Sequence, residues 1–403
     1  MQIQELLQIR KEKGNQIAQA GKVKLNGNTW LVPSQTTNKH YEVTLRLDKS
    51  ICNCPDYQER GLKCKHIFAV EITITKQIND DGTTTITKKV TYSQNWPAYN
   101  KSQTEEKSKF MDLLKDLISE VDEPTYTFGR PKIPQSDNLF ASALKVYTQF
   151  SLRRFASDLK IAKEKGLVVK TPCFASTGHF MQREDITPIL YKLISLSSMP
   201  FKSVETKFAI DSTGFHTTSF GQYLYTKHRT GQQHKWIKVH ACCGTKTNII
   251  TAVQVTDEFP NDSPFFIPLA KETHEKGFNI EQMSADKEYL ARPNMEYIDE
   301  IGGTAFIPFK SNSASLPRHG KIWRKMYHYF MMNRDDYMNH YHNRSNIETT
   351  FHMIKMKFGD GLKSRSKTAQ INEMLLKILC HNIVVLIHEI NELGITPNFL
   401  QED

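Results

Sequence analysis

Two stretches near the start of the chain alternate apolar and polar residues with a period of two. They are YEVTLRL (residues 41–47) and TTTITKKVTY (residues 83–92), and each predicts a strand. Cysteines cluster between them. Residues 96–136 turn polar and carry Pro97, Pro124, Pro131 and Pro134, so a linker is expected there, with a short amphipathic helix over 105–120. The period then lengthens. NLFASALKVYTQF has apolar residues at helical spacing, and Ser151 is placed to cap LRRFASDLKIAKEKG, which runs to Gly166. Shorter helices are predicted over 175–182 and 187–195. Short helices joined by tight turns across 137–200 suit helix-turn-helix DNA reading, and equally any small helical bundle.

From residue 204 to 395, strand and helix patterns alternate. KFAID is a strand ending on an acid. HKWIKVHACCG and NIITAVQVT continue it as an antiparallel meander. SPFFIPLAKETHEKG is a helix, NIEQMSAD a strand ending on a second acid, PNMEYIDEIG a helix and TAFIPF a strand, and long helices follow. The pattern is mixed α/β, a sheet flanked by helices. The longest apolar run, MLLKILCHNIVVLI (residues 374–387), is broken by Lys377, His381 and Asn382. It falls short of the roughly 20 residues needed to span a bilayer. A buried core helix is expected, with no membrane partner.

Length and charge sharpen this outline. At 403 residues the chain exceeds one typical domain. The formal net charge of +10 points to a polyanionic partner, most often nucleic acid. The polar start MQIQELLQIRKEKG has no export pattern, so the seven cysteines are expected to be reduced and some to bind metal. The expected location is cytoplasmic, at the nucleoid.

The cluster CNCPDYQERGLKCKH spaces Cys52, Cys54, Cys64 and His66 as Cys-x-Cys, nine residues, Cys-x-His. Three thiolates and an imidazole close a tetrahedral shell around one Zn²⁺. The spacing resembles the SWIM zinc finger, and the flanks agree: a strand before, Pro55 after the second ligand, and the apolar IFAVEI after His66. A closed shell leaves no open position for Lewis-acid chemistry, so this zinc is structural. The resemblance implies binding to DNA or to protein. Cys173, Cys242, Cys243 and Cys380 are expected as small core residues.

The stretch YHNRSNIETTFHMIK (residues 341–355) reads as a helix with an unusual stripe. At about 100° per residue, Tyr341, Arg344, Glu348 and Lys355 fall within roughly a 60° arc. Asp211 and Asp286, each at a predicted strand end, offer two more carboxylates. Three carboxylates drawn together repel unless a divalent cation neutralises them, and an all-oxygen set selects Mg²⁺ or Mn²⁺. The acid order Asp, Asp, Glu, the contexts FAIDSTGF and SADKEYL, and the spacing Tyr-x2-Arg-x3-Glu-x6-Lys resemble the DDE transposases of insertion sequences over residues 140–390.

That resemblance implies an RNase H-like core at 204–395, a helical DNA-binding segment at 137–200 and a small β-rich zinc domain at 1–95. It implies that Asp211, Asp286 and Glu348 hold two Mg²⁺ or Mn²⁺ ions and are catalytic. Arg344 and Lys355 would clamp phosphates, and Tyr341 would contact DNA near the element end. Double-stranded DNA is the expected substrate, cut and rejoined by a homodimer. The alternatives are a DNA-binding relative without cleavage and a metal-dependent nuclease. Only 61 residues separate Asp286 from Glu348, too few for the large β-rich insert some relatives carry. Among other residues, Asp262 is expected to cap a helix, Asp257 to lie in a loop and His240 to sit in the core. HGKIWRK (residues 319–325) reads either as a DNA contact or as a solvated loop.

Overall fold

The computed structural model describes residues 3–19, 23–26, 29–35, 39–44, 50–78, 84–88, 95–125, 128–129, 132–217, 236–256 and 261–399. Asp257 and residues 45–47, 83, 89–92 and 234–235 of the predicted strands lie outside them. The chain forms two units, residues 1–96 and 97–403.

The first unit opens with α1 (Ile3–Gln19). Four antiparallel strands follow in sequence order: β1 (Lys24–Asn26), β2 (Thr29–Pro33), β3 (His40–Thr44) and β4 (Ile51–Cys52). Then come α2 (Pro55–Arg60), α3 (Lys65–Thr73) and the pair β5 (Ile74–Ile78) and β6 (Thr84–Lys88). Alternation along β2 turns Trp30 and Val32 inward, onto Val43, Ile67 and Val70. Helices α1 and α3 pack closely because position 14 is glycine: a Cβ there would stand 2.7 Å from Phe68 Cβ and 2.9 Å from the Lys65 carbonyl. Buried Arg10 ties α1 to α2 and the segment after it, donating to Asp56 (2.5 Å) and the Lys63 carbonyl (3.2 Å).

The second unit begins in α4 (Trp96–Ser119), in the reach expected as a linker. Pro97 does not break this helix because it sits in the first turn, where its missing N–H has no intrahelical partner to lose. Phe110, Leu114 and Leu117 bury its apolar stripe in the main core. Helices α5 (Gln135–Thr148), α6 (Leu152–Glu164), α7 (Phe174–Phe180) and α8 (Thr187–Ser198) follow. Ser151 caps α6 by accepting from the Arg154 N–H. These helices share one hydrophobic core with the sheet rather than forming a core of their own.

The sheet has the order β11-β10-β7-β8-β9. Strands β7 (Lys207–His216), β8 (Trp236–Gly244) and β9 (Ile250–Thr256) make the expected antiparallel meander. After α9 (Phe266–Glu275), β10 (Gln282–Ala285) joins β7 in parallel. After α10 (Arg292–Glu300), β11 (Thr304–Phe306) joins β10 in parallel. The sheet is therefore mixed and flanked by helices, as the pattern predicted. Helices α11 (Lys321–Met332), α12 (Arg334–Tyr341), α13 (Ser345–Phe358) and α14 (Lys367–Glu392) complete the unit.

Helix α14 is long and apolar enough to cross a membrane, yet it is buried in this unit. Its polar interruptions each meet a backbone group. Asn382 accepts from the Ile250 N–H (3.0 Å) and donates to the Ile250 carbonyl (2.8 Å), so a side-chain amide extends the outer strand β9. His381 meets the Asn248 carbonyl at 2.9 Å. Lys377 donates to the carbonyls of Gly359 and Gly361, and Glu373 accepts from the N–H groups of Lys363 and Ser364. These last contacts fix the loop after α13 against the end of β7, where Leu362 N–H donates to the His216 carbonyl at 2.7 Å.

Candidate active site and metal centre

In the first unit, β4 delivers Cys52, the turn into α2 delivers Cys54, and the start of α3 delivers Cys64 and His66. All four are buried, and their ligand atoms lie within 4.8 Å of one another. Gly61, at a φ of +64°, closes α2 with its N–H on the Tyr57 carbonyl and turns the chain back toward Cys64. His66 Nδ1 stands 3.8 Å from Cys52 Sγ and 3.9 Å from Cys64 Sγ. A tetrahedron with Zn–S of about 2.3 Å and Zn–N of about 2.0 Å has an N···S edge of about 3.5 Å. The donor set and its spacing fit Zn²⁺. The crowded thiols share protons unequally: a hydrogen bond with Cys52 draws Cys64 down to about 4, while Cys52 is pushed up.

In the second unit, Asp211 lies in the middle of β7, not at its end as expected. Pairing with β8 carries the strand on to His216, opposite Trp236. Asp286 directly follows β10, whose Ala285 pairs with Ile210, so the two acids emerge side by side from adjacent parallel strands. Asp286 Oδ1 also accepts from the Glu288 N–H at 2.8 Å. Glu348 comes from the first turn of α13.

The helix of the signature is not uniform. Helix α12 ends at Tyr341, a 3₁₀ turn spans His342–Arg344, and α13 starts at Ser345. Arg344 reaches from this turn between two of the acids, 2.7 Å from Asp211 Oδ2 and 2.6 Å from Glu348 Oε1. Among the described residues only the cysteine–histidine group has all its ligand atoms within 4.8 Å. The three carboxylates thus stand wider than that, two of them bridged by a guanidinium. Burial pushes the Asp211 carboxyl above its ordinary range, with Asp286 and Glu348 adding to the rise; Arg344 and the Ser212 N–H oppose it. The donor set is all oxygen, the chemistry a hard divalent ion takes, and Arg344 neutralises part of its charge by bridging two of the carboxylates.

Asp211, Thr213 and Phe215 share one face of β7. Lys355, one turn from the end of α13, donates to Thr213 Oγ1 at 2.7 Å and lies 5.3 Å from the Phe215 ring centroid. Burial lowers its pKa. Tyr341 is half-buried beside Arg344, and burial raises its hydroxyl pKa. Arg344, Glu348 and Lys355 therefore gather along one strand face.

Three sequence expectations need correction. Asp262 makes no side-chain cap; its carboxylate accepts from Ser212 Oγ (3.0 Å) and pairs with Lys238. Those partners lie on the alternate pleat of β7 and β8, away from Arg344. No helical periodicity marks such a residue, because the contact joins a loop to two strands. Cys173 is exposed and caps α7, accepting from the Ser176 N–H at 3.4 Å. HGKIWRK is not a loop: Gly320 ends a short 3₁₀ turn and Lys321 begins α11. His240 is fully buried as expected, stacked on Phe265 at 4.1 Å, and burial lowers its pKa to about 4.

Comparison with known proteins finds two family matches along the chain. Residues 202–383, which enclose Asp211, Asp286 and Glu348, match the family described as Transposase DDE domain. Residues 41–74 match the SWIM zinc finger. Among solved structures, a piggyBac transposase synaptic complex with hairpin DNA is similar at 10% identity and a TM-score of 0.35, over 72% of this chain and 74% of that one. So slight a likeness transfers no residue roles. The chain therefore carries a transposase DDE domain, the catalytic domain of enzymes that cleave and join DNA, together with a SWIM zinc finger.

Proposed function

We propose that the chain acts at the ends of an insertion sequence, cutting double-stranded DNA and joining the freed 3′-hydroxyl to a target by two-metal phosphoryl transfer. The observation that carries this reading is the meeting of Asp211 and Glu348 on Arg344 at the central strand of the sheet, with Asp286 leaving the neighbouring strand beside Asp211. Asp211, Asp286 and Glu348 are the residues that would hold the ions. A pair of Mg²⁺ or Mn²⁺ ions, when bound, supplies Lewis acidity for the attacking and leaving oxygens. Arg344 and Lys355 bind phosphate oxygens, Arg344 through its planar fork and Lys355 as a point charge. Tyr341 hydrogen-bonds the DNA near the element end. Cys52, Cys54, Cys64 and His66 hold one structural Zn²⁺. Helices α5 to α8 contribute to end recognition, and two copies of the chain act together on two ends.

The test uses an element-end duplex with Mg²⁺ and a target plasmid. Joined product supports the transposase. Cleavage without joining makes the chain a nuclease, and a gel shift without cleavage makes it a binding protein. Glu348→Gln is expected to lower cleavage at least 10³-fold, about 4 kcal/mol of transition-state stabilisation, while binding persists. Cleavage retained in this variant removes Glu348 from the metal site.

A further inference from the structure

Helix α11 has two unlike faces. Met326 and Phe330 are buried. Trp323 turns inward too: its Nε1–H donates to the Ala314 carbonyl at 3.0 Å and its ring meets Phe309 edge-on at 5.0 Å. The tryptophan is therefore an anchor for the helix and not a platform for bases. The opposite face exposes Lys321, Arg324, Lys325 and His328. Their spacing of i, i+3, i+4, i+7 sets them along one line. Among the described residues Lys321, Arg324 and Lys325 make no ion pair, whereas most other cations near the site do: Arg344 binds two acids, Lys238 binds Asp262 and Lys310 binds Glu288.

The position of this line in the fold gives it a role. Strand β11 runs parallel to β10, so the chain after it leaves the sheet at the same edge as Asp286. Lys310 on that path pairs with Glu288, two residues past Asp286, at 3.6 Å. Helix α11 then starts beside α10, where Gly320 faces Glu296, and runs away from that edge, so that Lys325 lies with Asp299, Gly303 and Thr304 at the start of β11. From Lys321 to Lys325 the helix rises about 6 Å, at about 1.5 Å per residue. One strand of duplex DNA presents a phosphate about every 3.4 Å of axis, so three successive phosphates, about 6.8 Å from first to last, match the three cations.

We propose that the exposed face of α11 is a track for the phosphodiester backbone of duplex DNA, holding the duplex that flanks the scissile position without reading its sequence. The inference rests on the transposase reading of the acid site and extends it to a surface that the acids do not include. Unpaired cations on a rigid, tryptophan-anchored helix bind backbone by counterion release.

The experiment compares the full-length chain with the triple variant Lys321→Gln, Arg324→Gln, Lys325→Gln on a duplex of about 30 base pairs over a range of NaCl. Each lost phosphate contact lowers the slope of log Kobs against log [NaCl] by about 0.9. The slope should fall by about 2.7, and at about 0.1 M salt the affinity should fall several-hundred-fold, alike for unrelated sequences. The melting temperature should hold, because these side chains are exposed. The charge-conserving triple Lys321→Arg, Arg324→Lys, Lys325→Arg should keep the slope. An unchanged slope in the glutamine variant overturns the track and leaves the transposase reading standing. A parent protein with no salt-dependent DNA binding overturns that reading itself.

Discussion

Replacing Arg344 by glutamine tests the acid cluster without touching an acid. In the folded chain Arg344 is 19% exposed and donates to Asp211 and Glu348, whose side chains are 12% and 56% exposed. The Glu348 arm faces water and contributes less than about 1 kcal/mol. The Asp211 arm is sheltered; a charge-assisted hydrogen bond there contributes about 1.5–3 kcal/mol. Losing both gives roughly 2–4 kcal/mol, which lowers Tm by on the order of 5–10 °C for a domain of this size.

The loss should depend on pH. Burial already holds Asp211 above the ordinary carboxylate range, and Arg344 opposes the rise. In Arg344→Gln the folded pKa climbs further. A carboxyl whose folded pKa exceeds its unfolded value binds its proton more tightly when folded. The penalty is absent below the unfolded value near 4 and grows as pH rises through the folded value. Melting by circular dichroism at pH 4.5 and 7.5 should therefore show a small loss at the lower pH and the full loss at the higher. Millimolar Mn²⁺ at pH 7.5 should restore more of the variant's Tm than of the parent's. Equal losses at both pH values, with no response to Mn²⁺, would show that the guanidinium is not compensating a carboxylate cluster.

Cys52→Ser should reduce bound zinc from about one ion per chain, read by metal analysis of the purified protein. Zinc content unchanged in that variant would remove Cys52 from the shell. Asn382→Leu strands the Ile250 N–H and carbonyl against an apolar helix. At about 1–3 kcal/mol for each unsatisfied group, denaturant unfolding should report a loss of roughly 2–5 kcal/mol. A near-neutral result would mean that β9 finds other partners.

The order of strands and helices after residue 204 was legible because each element keeps a clean period. The zinc ligands were legible because their spacing is short and local. Helix α4 was not, because Pro97 reads as a breaker until it is known to occupy the first turn. The polar residues of α14 were visible as interruptions, but their purpose was not: Asn382 answers a backbone more than a hundred residues away, and no local pattern encodes that distance. Asp262 was misassigned for the same reason, since its partners Ser212 and Lys238 lie on two other elements. The three acids were placed in order along the chain, yet the guanidinium between two of them follows from side-chain reach and not from spacing.

The short 3₁₀ turn over His342–Arg344 changes what the signature's residue gaps mean. Such a turn advances about 120° per residue against about 100° in an α-helix, so three residues add a rotation of about 60°. That rotation is as wide as the whole arc a uniform helix would allot to the four signature side chains. A protein with the same gaps but an unbroken helix would aim its tyrosine in a different direction from its glutamate. The motif is thus a statement about winding as much as about spacing, and a one-residue insertion near Asn343 would misdirect both ends at once.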